Sequence, residues 1–316
     1  MQSSPSFSSW FRTITENITL VVQGKPEAIE LAVVCLLAEG HLLIEDVPGV
    51  GKTSLAKALA ASIDCTWKRV QFTPDLLPTD LVGVSVFQRA TETFTFQPGP
   101  VFANILLADE INRASPKTQS ALLEAMEERQ VSAEGTSHRL PAPFMVVATQ
   151  NPVEQEGTYR LPESQLDRFL MRISLGYPSR DAEIGILDSN GSRDAVDKLS
   201  AVISAAEVRA MIDAVRTVHL AGALKHYLVD LADVSRRHPG LSLGLSPRAT
   251  LQLARAARAI AAARGRDYAT PDDVKVVAVP VLAHRVAIRP DAAAKGLTHE
   301  LAVQEILGAV KVPTGR

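Results

Sequence analysis

The chain has 316 residues, of which 46% are apolar and 22% charged, with a formal net charge of -2 at pH 7. That length allows one large or two ordinary domains with ample core, and the apolar share excludes an intrinsically disordered chain. The near-neutral balance argues against a strongly electrostatic nucleic-acid binder, so no nucleic acid is expected as a partner.

Cys35 and Cys65 lie in apolar surroundings without metal-ligand spacing and read as buried, reduced thiols, which suits a cytoplasmic protein. The serine-rich start lacks the basic-then-apolar layout of a signal peptide. The longest apolar run, Leu31 to Ala38, is bounded by Glu30 and Glu39. It falls far short of the roughly 20 residues a spanning helix needs, so no membrane insertion is expected.

In chain order, the spacing predicts a helix over Glu27 to Ala38 and a buried strand over Leu42 to Ile44. A helix follows over Thr53 to Ile63, then strands at Thr66 to Phe72 and Ile105 to Ala108, a helix over Pro116 to Arg129, and strands at Phe144 to Ala148 and Met171 to Leu175. Short apolar strands alternating with helices predict an α/β fold, a parallel sheet covered on both faces. Two alternating segments, Val84–Phe87 and Phe94–Phe96, predict a hairpin inserted between the second and third of these strands. A second hairpin is predicted over Gln130 to Leu140, turning at Glu134-Gly135. After Asp181 the strand signal fades, and the polar run Asp188 to Asp197 is the best candidate linker. From Ser204 the pattern is helical and alanine-rich. The expected division is 1–180 for the α/β unit, 181–203 for a linker region and 204–316 for a smaller all-helical domain.

Glu45-Asp-Val-Pro-Gly-Val-Gly-Lys-Thr53 follows the first strand and opens a helix, the context a nucleotide-phosphate loop requires. Glycines let backbone amides approach phosphate oxygens, and the helix N-terminus adds partial positive charge. The binding set is Pro48, Gly49, Val50, Gly51, Lys52, Thr53 and Ser54. Lys52 would reach the β- and γ-phosphates of ATP, and the Thr53 hydroxyl would ligate magnesium. The alternative is a glycine-rich turn with no ligand. Asp46 stands where such loops usually begin with glycine; a carboxylate pointing inward would repel phosphate, so its side chain should point away. Asp109-Glu110 ends the strand that begins at Ile105, and parallel strands share one carboxyl edge, so the pair should lie beside the loop. Asp109 can orient magnesium and Glu110 can polarise an attacking water as general base. The plainer reading of that pair is a helix cap.

The stretches GHLLIEDVPGVGKT, PGPVFANILLADEINRASPKTQSALLEAMEERQVS, VATQNP and LPESQLDRFLMRI carry a resemblance to the MoxR family of AAA+ ATPases, which covers nearly the whole chain. The resemblance implies a three-layer AAA+ P-loop module followed by a helical lid, the latter marked by LGLSPRA. It further implies that Asn151 is the sensor-1 asparagine, which positions the attacking water. Arg168 would be the arginine finger reaching a neighbouring subunit's nucleotide, and Arg248 the sensor-2 arginine through which the lid touches the γ-phosphate. Without the resemblance these three read as a turn asparagine, a surface ion-pair residue and an exposed helix-start arginine. The hairpins resemble the helix-2 and pre-sensor-1 insertions, which lie in or near the pore of a ring.

The implied assembly is a homo-oligomer, a hexameric ring, acting as a chaperone-like motor for remodelling or metal-cofactor insertion. The implied partners are a protein substrate and a protein with a von Willebrand factor A domain. The rivals are the ATPase subunit of a magnesium or cobalt chelatase, and a nucleotide-gated scaffold that hydrolyses slowly. Arg255, Arg258, Arg264 and Arg266 could form a basic face on the lid, though a solvated helix or subunit contact is the simpler reading. The pair His284-Arg285 resembles one found in family lids and has no chemical role in the sequence reading.

Overall fold

A computed structural model of the chain describes residues 6–133, 135–152, 158–181, 183–184, 196 and 198–313. The strands are β1 (Leu42–Glu45), β2 (Ile63–Asp64), β3 (Trp67–Gln71), β4 (Gly83–Gln88), β5 (Thr93–Pro98), β6 (Ile105–Asp109), β7 (Gln130–Ala133), β8 (Thr136–Arg139), β9 (Met145–Gln150) and β10 (Met171–Ile173). Five of them form one parallel sheet in the order β10-β1-β9-β6-β3. The central strands β1, β6 and β9 are buried on both faces, which is why they read as continuous apolar runs.

Alternation along those strands feeds two separate cores. Leu42, Ile44, Ile105, Leu107, Met145 and Val147 face α1 (Phe7–Thr19), α2 (Pro26–Leu37) and α3 (Lys52–Ala61). Leu43, Leu106, Ala108, Val146 and Ala148 face the opposite layer, which contains α4 (Pro78–Val82) and α5 (Pro116–Glu128). The result is the three-layer arrangement the strand–helix alternation predicts. Helix α5 starts where Ser115 accepts a hydrogen bond from Thr118 N and Pro116 takes the first turn, and it stops at Arg129 in a left-handed conformation.

After α6 (Glu163–Leu166) the C-terminal part comprises α7 (Ala205–Thr217), α8 (Gly222–Arg237), α9 (Pro247–Ala263), α10 (Pro271–Leu282) and two further helices, Pro290–Ala293 and His299–Ala309. Apart from Pro290–Ala293, which buries no residue, their apolar faces are continuous with the core beneath α1 to α3. One correction applies to the all-helical expectation: Leu241–Leu243 pairs antiparallel with Ala287–Ile288. A second concerns the helix after the loop. It ends at Ala61 rather than Ile63, because Ile63 pairs with Ile203 in a short parallel ladder. The helix α1, absent from the elements predicted above, buries Ile14 and Ile18 completely. The run 188–197 read as a linker lies outside the described residues apart from Val196.

The two hairpins form as β4–β5 and β7–β8, the latter turning through Gly135 in a left-handed conformation, with Glu134 outside the described residues. They are joined: Phe96 of β5 stacks on His138 of β8 with ring centroids 4.1 Å apart. Farther along β4–β5, Phe87 and Phe94 pair at 5.3 Å and remain exposed. Cys35 is buried, whereas Cys65 is only partly so, a departure from the expectation for both. Burial pushes the Cys65 thiol up to about 11. Among the described residues no helix is long and apolar enough to cross a membrane.

Candidate nucleotide site

The loop leaves β1 at Glu45 and enters α3 at Lys52, with Gly49 (φ 85°) and Gly51 (φ 96°) both left-handed. A Cβ at either glycine would meet nothing within 4 Å, so the constraint there is backbone conformation rather than space. Asp46 points away from the loop's concave side. Its carboxylate accepts hydrogen bonds from Val47 N (2.8 Å), Ser174 Oγ (2.8 Å), Leu175 N (2.8 Å) and Gly176 N (2.6 Å). Burial alone would raise its pKa, but these four donors prevail and hold it below the usual carboxylate range. Asp46 therefore anchors the loop to the segment after β10.

This anchor has a testable cost. An asparagine at 46 loses the charge and turns an amide toward backbone donors, so Asp46→Asn should destabilise the chain by about 2 kcal/mol at neutral pH. Because the folded pKa is depressed, the contribution is present above the unfolded value near 4 and is lost as pH falls through the folded one. Urea melts of parent and variant should diverge at pH 7 and converge in acid. Equal midpoints at pH 7 would count against the anchor.

Lys52 Nζ donates to the carbonyl of Asp46 and to that of Gln150 (3.2 Å), which suspends the ammonium between the loop and the end of β9. The Thr53 hydroxyl donates to Asp109 Oδ2 at 3.3 Å, and Asp109 Oδ1 accepts from Thr149 Oγ1 at 2.5 Å. Thr149 Oγ1 in turn accepts from Glu110 N at 2.9 Å. Glu110 adopts φ 56°, ψ 51°, a left-handed conformation uncommon for a residue with a side chain and the kind of strain found at functional sites. Its carboxylate Oε2 accepts from Gln71 Nε2 (2.7 Å) and Arg113 NH1 (2.9 Å). Arg69 lies on Asp109 Oδ2, with NH2 at 2.7 Å and Nε at 3.2 Å. Asn151, just past β9, is buried at the same edge. The loop and the acid pair are thus brought together at the carboxyl edge of the sheet, as the shared edge of parallel strands requires.

The remaining two predicted residues are not there. Leu170 N donates to His41 O at 2.8 Å, immediately before the paired starts of β1 and β10, so Arg168 lies at the amino edge of the sheet. The loop lies beyond the other end of the four-residue β1, roughly 13 Å of strand away. Arg248, in the first turn of α9, is at Arg168's end. Glu127 pairs with both: its carboxylate lies 3.2 Å from Arg168 Nε and accepts from Arg248 NH1 at 2.9 Å, and Arg248 Nε is 3.7 Å from Asp167. A contact between Arg248 and the γ-phosphate of its own chain is therefore not what this arrangement offers.

His284 and Arg285 explain how that edge is held. Arg285, almost fully buried, donates to Asp167 Oδ1 (2.8 Å), to the Asp167 and Leu170 carbonyls (both 3.1 Å) and also to the Phe169 carbonyl. His284 Nε2 donates to the Phe169 carbonyl at 3.0 Å, and burial holds its pKa well below the ordinary value, so the ring is neutral. Together they clasp the turn that carries Arg168. Of the four arginines that could have formed a basic face, Arg264 and Arg266 pair with the buried Asp273 at 3.1 and 2.6 Å.

A divalent cation between Thr53 and Asp109 would meet two hard oxygen groups, the chemistry magnesium prefers, and would complete its shell with phosphate oxygens and water. Among the described residues no group of three or more His, Cys, Asp or Glu side chains gathers as a metal cage.

Comparison with known proteins gives the family of the chain. Residues 41–171 match the model of the ATPase family associated with various cellular activities (AAA), and residues 234–306 match an AAA lid domain. The chain is 41% identical to Chaperone MoxR1 of Mycobacterium tuberculosis, over 93% of this chain and 80% of that one. It is 33% identical to Protein MoxR of Methylorubrum extorquens, over 86% of each. A crystal structure from Cytophaga hutchinsonii, 36% identical, superposes with a TM-score of 0.89 over 98% of this chain and 96% of that one.

Proposed function

The chain belongs to the MoxR family of AAA+ ATPases, and from that footing we propose how its residues divide the reaction and what the reaction drives. The phosphate loop, Pro48 to Ser54, holds the triphosphate through backbone amides at the start of α3. Lys52 exchanges its two carbonyl contacts for the β- and γ-phosphates. Thr53 and Asp109 would hold magnesium, which would supply charge neutralisation for the phosphates. Glu110 takes the proton of the attacking water, and Asn151 orients that water from the end of β9.

One observation carries the rest. The loop with its acid pair lies at one edge of the sheet, and Arg168 with Arg248 at the other. Each chain therefore presents half of a site at either end, and the halves complete one another only between copies. Arg168 and Arg248 stabilise the charge that develops on the neighbour's γ-phosphate, which requires a head-to-tail contact between copies; a closed ring of six subunits is the arrangement we propose. The joined hairpins, with Phe87 and Phe94 exposed, would face its pore.

The ring would act in the cytoplasm as a chaperone-like motor on a protein substrate, through remodelling or metal-cofactor insertion, with a von Willebrand factor A domain protein as adaptor. The name of the relative Chaperone MoxR1 supports that direction. Mass photometry with a non-hydrolysable ATP analogue tests the assembly. Growth from smaller species to a six-subunit particle is expected, and a monomer at every nucleotide state would defeat the shared-site reading.

A further inference from the structure

Arg69 has no part in the phosphate-loop chemistry described above. It stands on β3, next to β6 in the sheet, and its guanidinium crosses to Asp109 Oδ2 at 2.7 and 3.2 Å. That oxygen is the one within 3.3 Å of the Thr53 hydroxyl, while the opposite oxygen is engaged by Thr149. A cation bound between Thr53 and Asp109 needs the lone pairs of Oδ2. A guanidinium brings donors and no lone pair, so it can only consume that oxygen's capacity.

The charge acts in the same direction. Asp109 is 7% exposed, so a guanidinium and a divalent ion on one carboxylate oxygen repel one another with little solvent between them. Arg69 itself is different: its side chain is 45% exposed, and its other hydrogen bond, to Gln71 Oε1, is long at 3.4 Å. It is therefore free to swing outward, away from the carboxylate. The pair joins a half-exposed guanidinium to a buried carboxylate, and its guanidinium sits on the oxygen nearest Thr53.

We propose that Arg69 is a cationic placeholder on Asp109 that sets the magnesium requirement of the nucleotide site, holding the carboxylate until the metal displaces it. This positioning role rests on the reading of Thr53 and Asp109 as the magnesium-holding pair. Its consequence is that magnesium nucleotide binds more weakly than the oxygen donors alone would allow.

The test uses the full chain and a fluorescent ADP analogue, with its dissociation constant measured in EDTA and in excess magnesium. Arg69→Gln keeps the hydrogen-bonding reach and removes the charge. It should tighten binding in magnesium by about tenfold and leave the EDTA value little changed. Arg69→Lys keeps the charge and should stay near the parent. A magnesium value that is unchanged or weaker in Arg69→Gln overturns the proposal, whatever happens in EDTA. Asp109→Asn separates the underlying reading: it should abolish the difference between the two conditions. If it titrates as the parent does, the magnesium assignment itself fails, and the placeholder falls with it.

Discussion

Glu110→Gln should hold ATP about as tightly as the parent while its turnover falls by about 10²–10⁴-fold, the usual worth of a positioned general base. Lys52→Ala should instead fail to hold the nucleotide at all. The division follows from where the two side chains sit. Lys52 is suspended over the loop by the carbonyls of Asp46 and Gln150, an arrangement phosphate oxygens can replace directly. Glu110 lies beyond it on the edge of β6, with its carboxylate held by Gln71 and Arg113 rather than by any loop residue. An amide at 110 keeps the shape and the partners but cannot accept the proton. Filter binding of labelled ATP alongside phosphate release measures both properties in the same preparation. Equal loss of binding in both folded variants would show that Glu110 belongs to the cradle and is not a separate base.

The parts of this site that were legible in the sequence are those written locally. An apolar strand running into glycines, lysine and threonine can hardly be read except as a loop opening a helix. Asp109-Glu110 was readable because parallel strands align their carboxyl ends. The outward direction of Asp46 followed from electrostatics alone, although its partners, Ser174 to Gly176, did not. Arg69 and Gln71 were invisible for a different reason. Each is a polar residue on an edge strand, and its partner lies some forty positions later at the adjacent strand, a relation with no periodicity to betray it. Arg248 was picked out by its motif, which does not say at which end of the sheet it stands. A motif fixes what a residue is, whereas the end of the sheet it reaches depends on how α9 docks. His284 and Arg285 had no assigned chemistry because their work, clasping the backbone from Asp167 to Leu170, is done on carbonyls that sequence does not display. The helix α1 had the opposite problem. Its apolar stripe, Phe11, Ile14 and Ile18, has helical spacing but sits inside a serine-rich start that draws attention to what the segment is not.

The largest effect should come from the amino edge. Arginines that stabilise a transferring phosphoryl group contribute about 10³–10⁵ in rate, so Arg168→Ala should bind ATP and hydrolyse it poorly. Loss of activity alone would not distinguish a finger from a structural residue, since Arg168 also ties Glu127 and the Leu123 carbonyl. Mixing does distinguish them. Glu110→Gln lacks the base but keeps both arginines, and Arg168→Ala lacks the finger but keeps the base and loop. When the two exchange subunits, some interfaces pair the intact base of one chain with the intact arginine of the next. Neither parent variant contains such an interface. Phosphate release should therefore rise above the sum of the two inactive preparations and peak near equal amounts, because productive neighbours are then most frequent. The same mixture made with Arg248→Ala in place of Arg168→Ala should also recover, since Glu127 holds both arginines at one edge. Co-assembly is followed by differently labelled subunits. If labels mix and no ratio restores turnover for either arginine, the amino edge of one chain does not complete the carboxyl edge of another.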